Sequence, residues 1–300
     1  MTLPRALSAA LSRCLGAAPD GAQPVYGGDI NQAARVEVGG LPYFVKWSAD
    51  SPPTMFPAEA QGLRLLAGAG VIRVPAVIAQ GDAQGDAQGD APAFLVLEWI
   101  ETSGRRAGGE RVMEQFGAAL AELHHHTAPS HGLDQDNFIG RLPQPNPRTA
   151  SWAGFYRDYR IGCQLELARR KGRLPARRED LLSRLMDRLP DLLDDAAMPP
   201  ALLHGDLWGG NYLIDDQDGA VLIDPAVYYG HREMDLAMSE LFGGFAPRFY
   251  EAYQAAYPLH GYPERRALYQ LYYILVHLNL FGEHYGGQVD SIAAHYAGRK

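Results

Sequence analysis

Along the chain the apolar positions change their spacing several times, and each change marks an element. Leu7, Leu11 and Leu15 recur every fourth residue, the repeat of one helix face, so a short amphipathic helix is expected at the N-terminus. The stretch before Asp20 holds Arg5 and Arg13 and no acid, as a cleaved targeting peptide would, but the leucine repeat favours the helix. From Val25 to Trp47 the pattern is β-type, broken by Gly27-Gly28 and by the turn "GGLP" at 39–42, which predicts an antiparallel sheet. A helix is expected over 56–68, then strands near 72–79 and 93–99. The repeat "GDAQGDAQGD" at 81–90 separates them. It reads as a flexible hairpin loop rather than a calcium site, since it supplies few carboxylates and no bidentate Glu.

After "LVLEWIE" at 95–101 the period shifts from two to about 3.6, with Val112, Phe116, Leu120 and Leu123 on one helix face. Further helices are expected over 151–171, 177–195, 233–243, 247–256 and 264–285, and "NYLI" with "AVLID" forms a hairpin turning at "DDQDG". The expectation is an α+β chain of two lobes: a β-rich N-lobe over 1–97, a hinge at 98–101 and a mainly helical C-lobe over 102–300. Clefts between lobes are where ligands bind.

Composition narrows the function classes. With 47% hydrophobic residues among 300, the chain can bury a large core. Its net charge is −8 and no block of Lys and Arg forms a basic stripe, so neither nucleic acid nor an anionic membrane is an expected partner. No apolar run approaches the roughly 20 residues that span a bilayer. Two cysteines, Cys14 and Cys163, build neither a disulfide framework nor a multi-cysteine metal site, which fits a reducing cytoplasm.

Chemistry concentrates in a few places. In the helix beginning near Phe56, Glu59 shares its face with Gly62, Leu63 and Leu66, so it points inward. A carboxylate there needs a partner, and Lys46 on the apolar strand "YFVKW" is the nearest candidate in sequence. Alone, this is equally an ion pair with no catalytic part. The Gly-rich stretch "HGDLWGGN" at 204–211 places Asp206 five positions before Asn211, and the hairpin can return Asp224 of "LIDP" to Asn211. Asn211 and Asp224 offer hard oxygen ligands suited to magnesium, and Asp206 could accept a proton from an attacking hydroxyl. The bland reading is a turn with ordinary Asx hydrogen bonds. The run "HHH" at 124–126 is read as imidazolium meeting the carbonyls of a helix end rather than as a metal tract. Asp235 is expected to cap its helix and bond the backbone of the 204–211 loop, which His204 orients; "YQLYYILVHLNLF" at 269–281 reads as a core helix.

Lysine, glutamate, aspartate, asparagine and aspartate in this order resemble the protein-kinase-like phosphotransferases, with D206-LWGG-N211 as the catalytic loop and "DPA" in place of DFG. Three departures narrow the likeness. "GGDINQA" holds no complete G-x-G-x-x-G. Only ten residues separate Asp224 from Asp235, leaving no long activation segment or A-P-E element for a peptide substrate. "HGD" in place of "HRD" removes the arginine that reads activation-loop phosphorylation.

More closely, the chain resembles the fructosamine kinase (ketosamine-3-kinase) family through "GGDIN", "FVKW", "FPAEAQGLRLL", "FLVLEWIE", "LAELHHHT", "DNFIGRLPQPN", "HGDLWGGN" and "LIDPAVYYGHREMDLAMSELFGGF", which run from 27 to 245. The resemblance implies ATP-dependent phosphorylation of the C3 hydroxyl of a ketosamine, free or protein-linked, whose unstable 3-phosphate releases the amine: a deglycation repair. It implies ATP and Mg2+, with Asp206 as base, Lys46 and Glu59 positioning phosphates, and Asn211 and Asp224 holding the metal. Gly28, Asp29, Ile30 and Asn31 would cover the phosphates, and Glu98, Trp99 and Ile100 would meet the adenine edge. Trp208 and His231 are candidate substrate contacts, and a monomer is expected. An aminoglycoside, choline or homoserine-type kinase and a nucleotide-binding pseudokinase stay open as alternatives.

Overall fold

The computed structural model describes residues 1–26, 31–81, 92–102, 109–193 and 199–298. The chain divides into two compact units: residues 1–112 with 210–225, and residues 113–209 with 226–300. Both are described below each by itself.

The first unit is built on a five-stranded antiparallel sheet in the order β1-β2-β3-β5-β4, with β1 Pro19–Pro24, β2 Gln32–Val38, β3 Leu41–Ser48, β4 Val77–Gly81 and β5 Ala93–Glu98. Gly39 and Gly40 close the β2–β3 hairpin at φ +59° and +78°, the pair of left-handed positions that a tight two-residue turn demands. Helices lie on both faces. The leucine repeat forms α1, Arg5–Leu15, whose Leu7 and Leu11 pack with Val36, Val45, Trp47 and Val96. Helix α2, Met55–Ala69, sets Phe56, Ala60 and Leu63 against Ala93, Leu95 and Leu97 on the other face. Alternation along β3 therefore sends Val45 and Trp47 to α1, and Phe44 and Lys46 to α2.

Two differences from the sequence reading concern this sheet. Strand β1 was not expected, since "PDGAQP" is polar and has Pro at both ends; it is tolerated because it is an edge strand. The strand expected near 72–79 splits. Pro75 lacks the N–H that would continue the ladder, so residues after it form β4, while Arg73 bridges in parallel to Val221 instead. The expected hairpin forms between Tyr212–Ile214 and Ala220–Leu222, turning through Asp218 at φ +61°. The insert at 82–90 lies outside the described residues.

The second unit is mainly helical. It comprises most of α3 (Glu110–Leu123) with α4 (Trp152–Phe155), α5 (Cys163–Arg170), α6 (Ala176–Leu192), α7 (Glu233–Leu241), α8 (Pro247–Ala256), α9 (Tyr262–Phe281) and α10 (Gly286–Tyr296). The apolar stripe of α3, with Val112, Phe116, Leu120 and Leu123, is buried, and Phe116 stacks against Phe245 and Phe249. Helix α9 is central and packs on α5, α7 and α10; its tyrosines 269, 272 and 273 are fully buried. The helix expected over 151–171 is interrupted by a π-helical stretch, Tyr156–Gly162, and α10 was not foreseen. The wide turn buries Arg160, whose guanidinium lies 3.9 Å from the Tyr228 ring centroid and donates to the Asn146 Oδ1 at 2.7 Å, so ring faces and amides compensate the buried charge. Among the described residues no helix is long and apolar enough to cross a membrane.

Candidate active site

In the first unit, Lys46 meets two carboxylates. Its Nζ lies 2.5 Å from Glu59 Oε1 and 2.6 Å from Asp224 Oδ1. Strand alternation points Lys46 at α2, and Glu59 stands one turn before Leu63 on the buried face of that helix, so the pairing follows from register. The Lys46 and Glu59 side chains are 7% and 12% exposed, whereas that of Asp224 is 49% exposed, so one acid holds the ammonium from inside and the other faces outward. Burial works against the Lys46 charge, but Asp224 and Glu59 outweigh it and its pKa is raised. Burial raises Glu59 as well; Lys46 opposes that shift and Asp224 reinforces it.

Asp224 occupies the left-handed region at φ +52°, a conformation that Asp tolerates better than most residues and that recurs at functional sites. The hairpin brings Asn211 to it: Ile223 N–H donates to the Asn211 carbonyl at 3.0 Å, and Asn211 Nδ2 donates to the Asp224 carbonyl at 3.5 Å. A carboxamide and a carboxylate are hard oxygen donors. Among the described residues no three His, Cys, Asp or Glu cluster around a metal position. One amide and one carboxylate are the kind of donor set from which a cation such as magnesium takes one or two ligands while completing its shell with phosphate oxygens and water.

A second ion-pair network holds this hairpin. Arg73 donates to Asp215 Oδ2 at 2.8 Å and to Glu98 Oε1 at 2.6 Å, while Leu222 N–H donates to the Arg73 carbonyl at 2.9 Å. Asp215 also accepts from Gly219 N–H at 2.7 Å and Gln217 N–H at 3.0 Å, which fixes the turn. The Glu98 carboxylate, expected near adenine, is engaged by Arg73 and by Ala76 N–H at 3.1 Å. Trp99 lies beneath the Arg35 guanidinium, 5.4 Å from its ring centroid, and Ile100 is buried. Side-chain contact with a base from Glu98 would break existing bonds; the backbone of 98–100 is the better candidate. Gly28, Asp29 and Ile30 lie outside the described residues. Asn31, which follows them, has a buried Oδ1 with no hydrogen-bond partner among the described residues.

Asp206 belongs to the second unit. Its loop is held by Asp235, whose carboxylate accepts from His204 N–H at 2.7 Å and Gly205 N–H at 2.8 Å. Asp235 spends itself on the loop and makes no cap to its own helix, where Arg232 takes the N-cap position. Gly205 sits at φ +84°, and a Cβ there would come within 2.0 Å of the Ala226 carbonyl oxygen, so only glycine fits. Sequence reading noticed this glycine only for the arginine it replaces. Asp206 N–H donates to His204 Nδ1 at 3.2 Å, which fixes that fully buried imidazole beside the carboxylate it precedes.

Sequence reading also missed His124. It is fully buried, with Nε2 3.3 Å from Asp235 Oδ2 and Nδ1 2.8 Å from the Tyr253 hydroxyl. Burial lowers its pKa against the pull of Asp235. Its two ring nitrogens face Asp235 and Tyr253, partners the sequence reading of a helix-end imidazolium did not name. His125 instead stacks on Tyr257 at 4.1 Å. The signal available was the periodicity: His124 falls one turn after Leu120, on the buried stripe.

The two expected substrate contacts have different surroundings. Trp208 is 36% exposed and meets Phe242 edge-on at 6.2 Å. His231 is buried: it stacks on Tyr269 at 5.3 Å, its Nδ1 accepts from Glu233 N–H at 3.3 Å, and burial with the charges of Arg265 and Arg232 pulls its pKa down to about 3. The structure places this candidate substrate contact against Tyr269 of α9 and not on an open face.

Residues 4–297, almost the whole chain, match the family model described as fructosamine kinase. The chain belongs to the fructosamine kinase family. A probable ketoamine kinase of Lactiplantibacillus plantarum is 44% identical over 278 residues, covering 91% of this chain and 93% of that one. The chloroplastic protein-ribulosamine 3-kinase of Arabidopsis thaliana is 36% identical over 284 residues, covering 91% of this chain and 81% of that one. Among solved structures, a candidate fructosamine-3-kinase of Thermobifida fusca superposes with a TM-score of 0.84 at 35% identity, covering 97% of this chain and 98% of that one. An aminoglycoside phosphotransferase bound to ADP matches with a TM-score of 0.63 at 14% identity, covering 98% of each chain, which shows a shared fold. The fold is therefore the two-lobed, protein-kinase-like α+β fold, and as a fructosamine kinase family member the protein is a phosphotransferase.

Proposed function

We propose that this fructosamine kinase transfers the γ-phosphoryl group of ATP to the C3 hydroxyl of a ketosamine. The observation that carries the reading is the ammonium of Lys46 held within 2.6 Å of both Glu59 and Asp224: a phosphate-binding cation fixed from behind, with an outward carboxylate beside it. Lys46 places the phosphates; Glu59 keeps it charged and pointed. Asn211 and Asp224 would hold Mg2+, which neutralises charge on the transferring phosphoryl group when bound. Asp206, on its Asp235-braced loop, accepts the proton of the acceptor hydroxyl as its oxygen bonds to the γ-phosphorus. The bond from that phosphorus to the β,γ-bridging oxygen breaks, and ADP leaves with the electron pair. The exposed indole of Trp208, two residues after Asp206, offers an apolar face to the sugar. The unstable 3-phosphate then releases the amine, so the activity is a deglycation repair, with small-molecule or protein-linked ketosamines as substrates.

The relatives named as ketoamine and ribulosamine kinases support this acceptor class. The aminoglycoside phosphotransferase likeness reaches the fold alone, and the presence of Lys46, Glu59, Asp206, Asn211 and Asp224 disfavours a pseudokinase. ATP consumption measured against ketosamines, aminoglycosides and choline tests the reading. Turnover confined to ketosamines and dependent on magnesium is expected; turnover only on an aminoglycoside or choline overturns it.

A further inference from the structure

A row of rings leads away from Asp206. Trp208, Phe242 and Phe281, exposed large apolar side chains at 36%, 41% and 43%, are joined through His277. The Trp208 and Phe242 centroids lie 6.2 Å apart, Phe242 is 4.7 Å from His277, and His277 is 5.4 Å from Phe281. The row is a consequence of helical spacing. Tyr273, His277 and Phe281 recur every four residues on α9 and so share one face. At the inner end the Tyr273 hydroxyl donates to the carbonyl of Gly205, the residue before Asp206, at 3.1 Å. At the outer end, eight residues and about 12 Å further along the helix, Phe281 stands at the surface. Phe242 is presented by the end of α7, where Gly243 and Gly244 turn the chain away at φ +96° and +75°.

The row consists of aromatic rings and one imidazole. His277 Nδ1 lies 2.7 Å from the Tyr273 carbonyl, so that nitrogen is the protonated donor, and burial lowers the pKa of the ring. The carboxylates two residues from Phe242 and Phe281, Glu240 and Glu283, are paired with Arg266 and Arg178, each at 2.7 Å. A ketosamine extends both ways from the carbon that bears its reacting oxygen: C4 and the short remainder of the sugar on one side, and C2, C1, the nitrogen and then the amine's carrier on the other. The nitrogen is about 4 Å from C3 by bond lengths, so whatever the nitrogen bears extends beyond the loop that holds Asp206.

We propose that Phe242, His277 and Phe281 form a subsite for the carrier of the amine, and that it selects ketosamines whose carrier presents an aromatic or other apolar side chain next to the glycated nitrogen. This rests on the proposed ketosamine kinase activity and deepens it. Ring-on-ring contact in a partly desolvated row corresponds to roughly 5- to 10-fold in kcat/KM.

The test is steady-state phosphorylation by the full chain of the glucose- and ribose-derived ketosamine adducts (fructosamines and ribulosamines) of phenylalanine, glycine and aspartate, for wild type, Phe281→Ser and Phe242→Ala. Wild type is expected to prefer the phenylalanine adduct over the glycine adduct by roughly 5- to 10-fold, with aspartate poorest, and the preference should collapse toward unity in both variants. Equal kcat/KM on the three carriers in wild type overturns the subsite, whatever the variants do. A wild-type preference that survives Phe281→Ser and Phe242→Ala also overturns it. No turnover on any adduct, with ATP still bound, sinks the ketosamine reading itself and the subsite with it.

Discussion

Replacing Arg73 by methionine removes the guanidinium that ties the Asn211–Asp224 hairpin to the sheet while keeping most of the side chain's aliphatic volume. The Asp215 side chain is only 6% exposed, so its charge-assisted bond to Arg73 at 2.8 Å contributes about 1.5–3 kcal/mol. The Glu98 contact is 41% and 35% exposed on its two sides and adds below about 1 kcal/mol. Asp215 keeps two backbone donors, and the Leu222 bond to the Arg73 carbonyl survives, so the hairpin loosens without detaching. A loss of about 2–3 kcal/mol corresponds to a Tm lower by roughly 5–10 °C. The apparent KM for MgATP should rise several-fold because the residues proposed for metal and phosphate move with the hairpin. The effect has a pH signature. Burial alone would raise the Asp215 pKa, but the Gly219 N–H, Arg73 and the Gln217 N–H together hold it below the ordinary value. A carboxylate with a depressed folded-state pKa contributes stability above its unfolded pKa of about 3.9 and loses it as pH falls through the folded value. The Tm gap between wild type and Arg73→Met should therefore be full at pH 7 and shrink below about pH 4. Thermal melts at pH 7, 5 and 3.5 with MgATP titrations check this; a Tm unchanged within 1 °C at pH 7, or a gap that widens in acid, refutes the reasoning.

Four further outcomes are expected. Asp206→Asn should lower turnover roughly 100- to 10,000-fold with ATP affinity retained; phosphorylation near the wild-type rate would remove Asp206 as the base. Asp224→Asn, chosen because Asn also accepts the left-handed backbone at this position, should abolish magnesium-dependent ATP use with little change in Tm, and an unaltered magnesium titration would contradict the metal assignment. Gly205→Ala should destroy activity and lower Tm by several degrees, since the added carbon meets the Ala226 carbonyl and a left-handed backbone together; a fully active variant would show that the loop shifts freely. Trp208→Ala should raise the ketosamine KM strongly and the ATP KM little, as kinetics on both substrates will tell; a several-degree fall in Tm with the ketosamine KM unaltered would assign the indole to packing.

Much of the site was legible because its signals are local. Glu59 shows itself as an acid on an apolar helix face, Lys46 as a cation on an apolar strand, and the "HGDLWGGN" and "LIDP" stretches as polar groups gathered around glycines and a hairpin. What misled were residues whose partners are distant in sequence. His124 read as a helix-end imidazolium because the sequence does not reveal that Asp235 and Tyr253, 111 and 129 residues on, meet its two ring nitrogens. Nothing local predicts, either, that Tyr269 and Trp152 close around His231.

Periodicity by itself determined most of the order of elements, though not β1 or α10, together with the β-to-helix change near residue 100 and the inward direction of Lys46 and Glu59, because side-chain direction follows from the 2.0 and 3.6 repeats of the backbone alone. Tertiary structure alone decided the rest. It set Asp224 in the left-handed region, sent Arg73 to the Asn211–Asp224 hairpin instead of into a strand and gave Glu98 to Arg73. Each of these is a choice among polar partners tens to hundreds of residues apart. A buried charge or N–H must find some partner, but which one is fixed only when the packed elements bring a particular group within hydrogen-bonding distance.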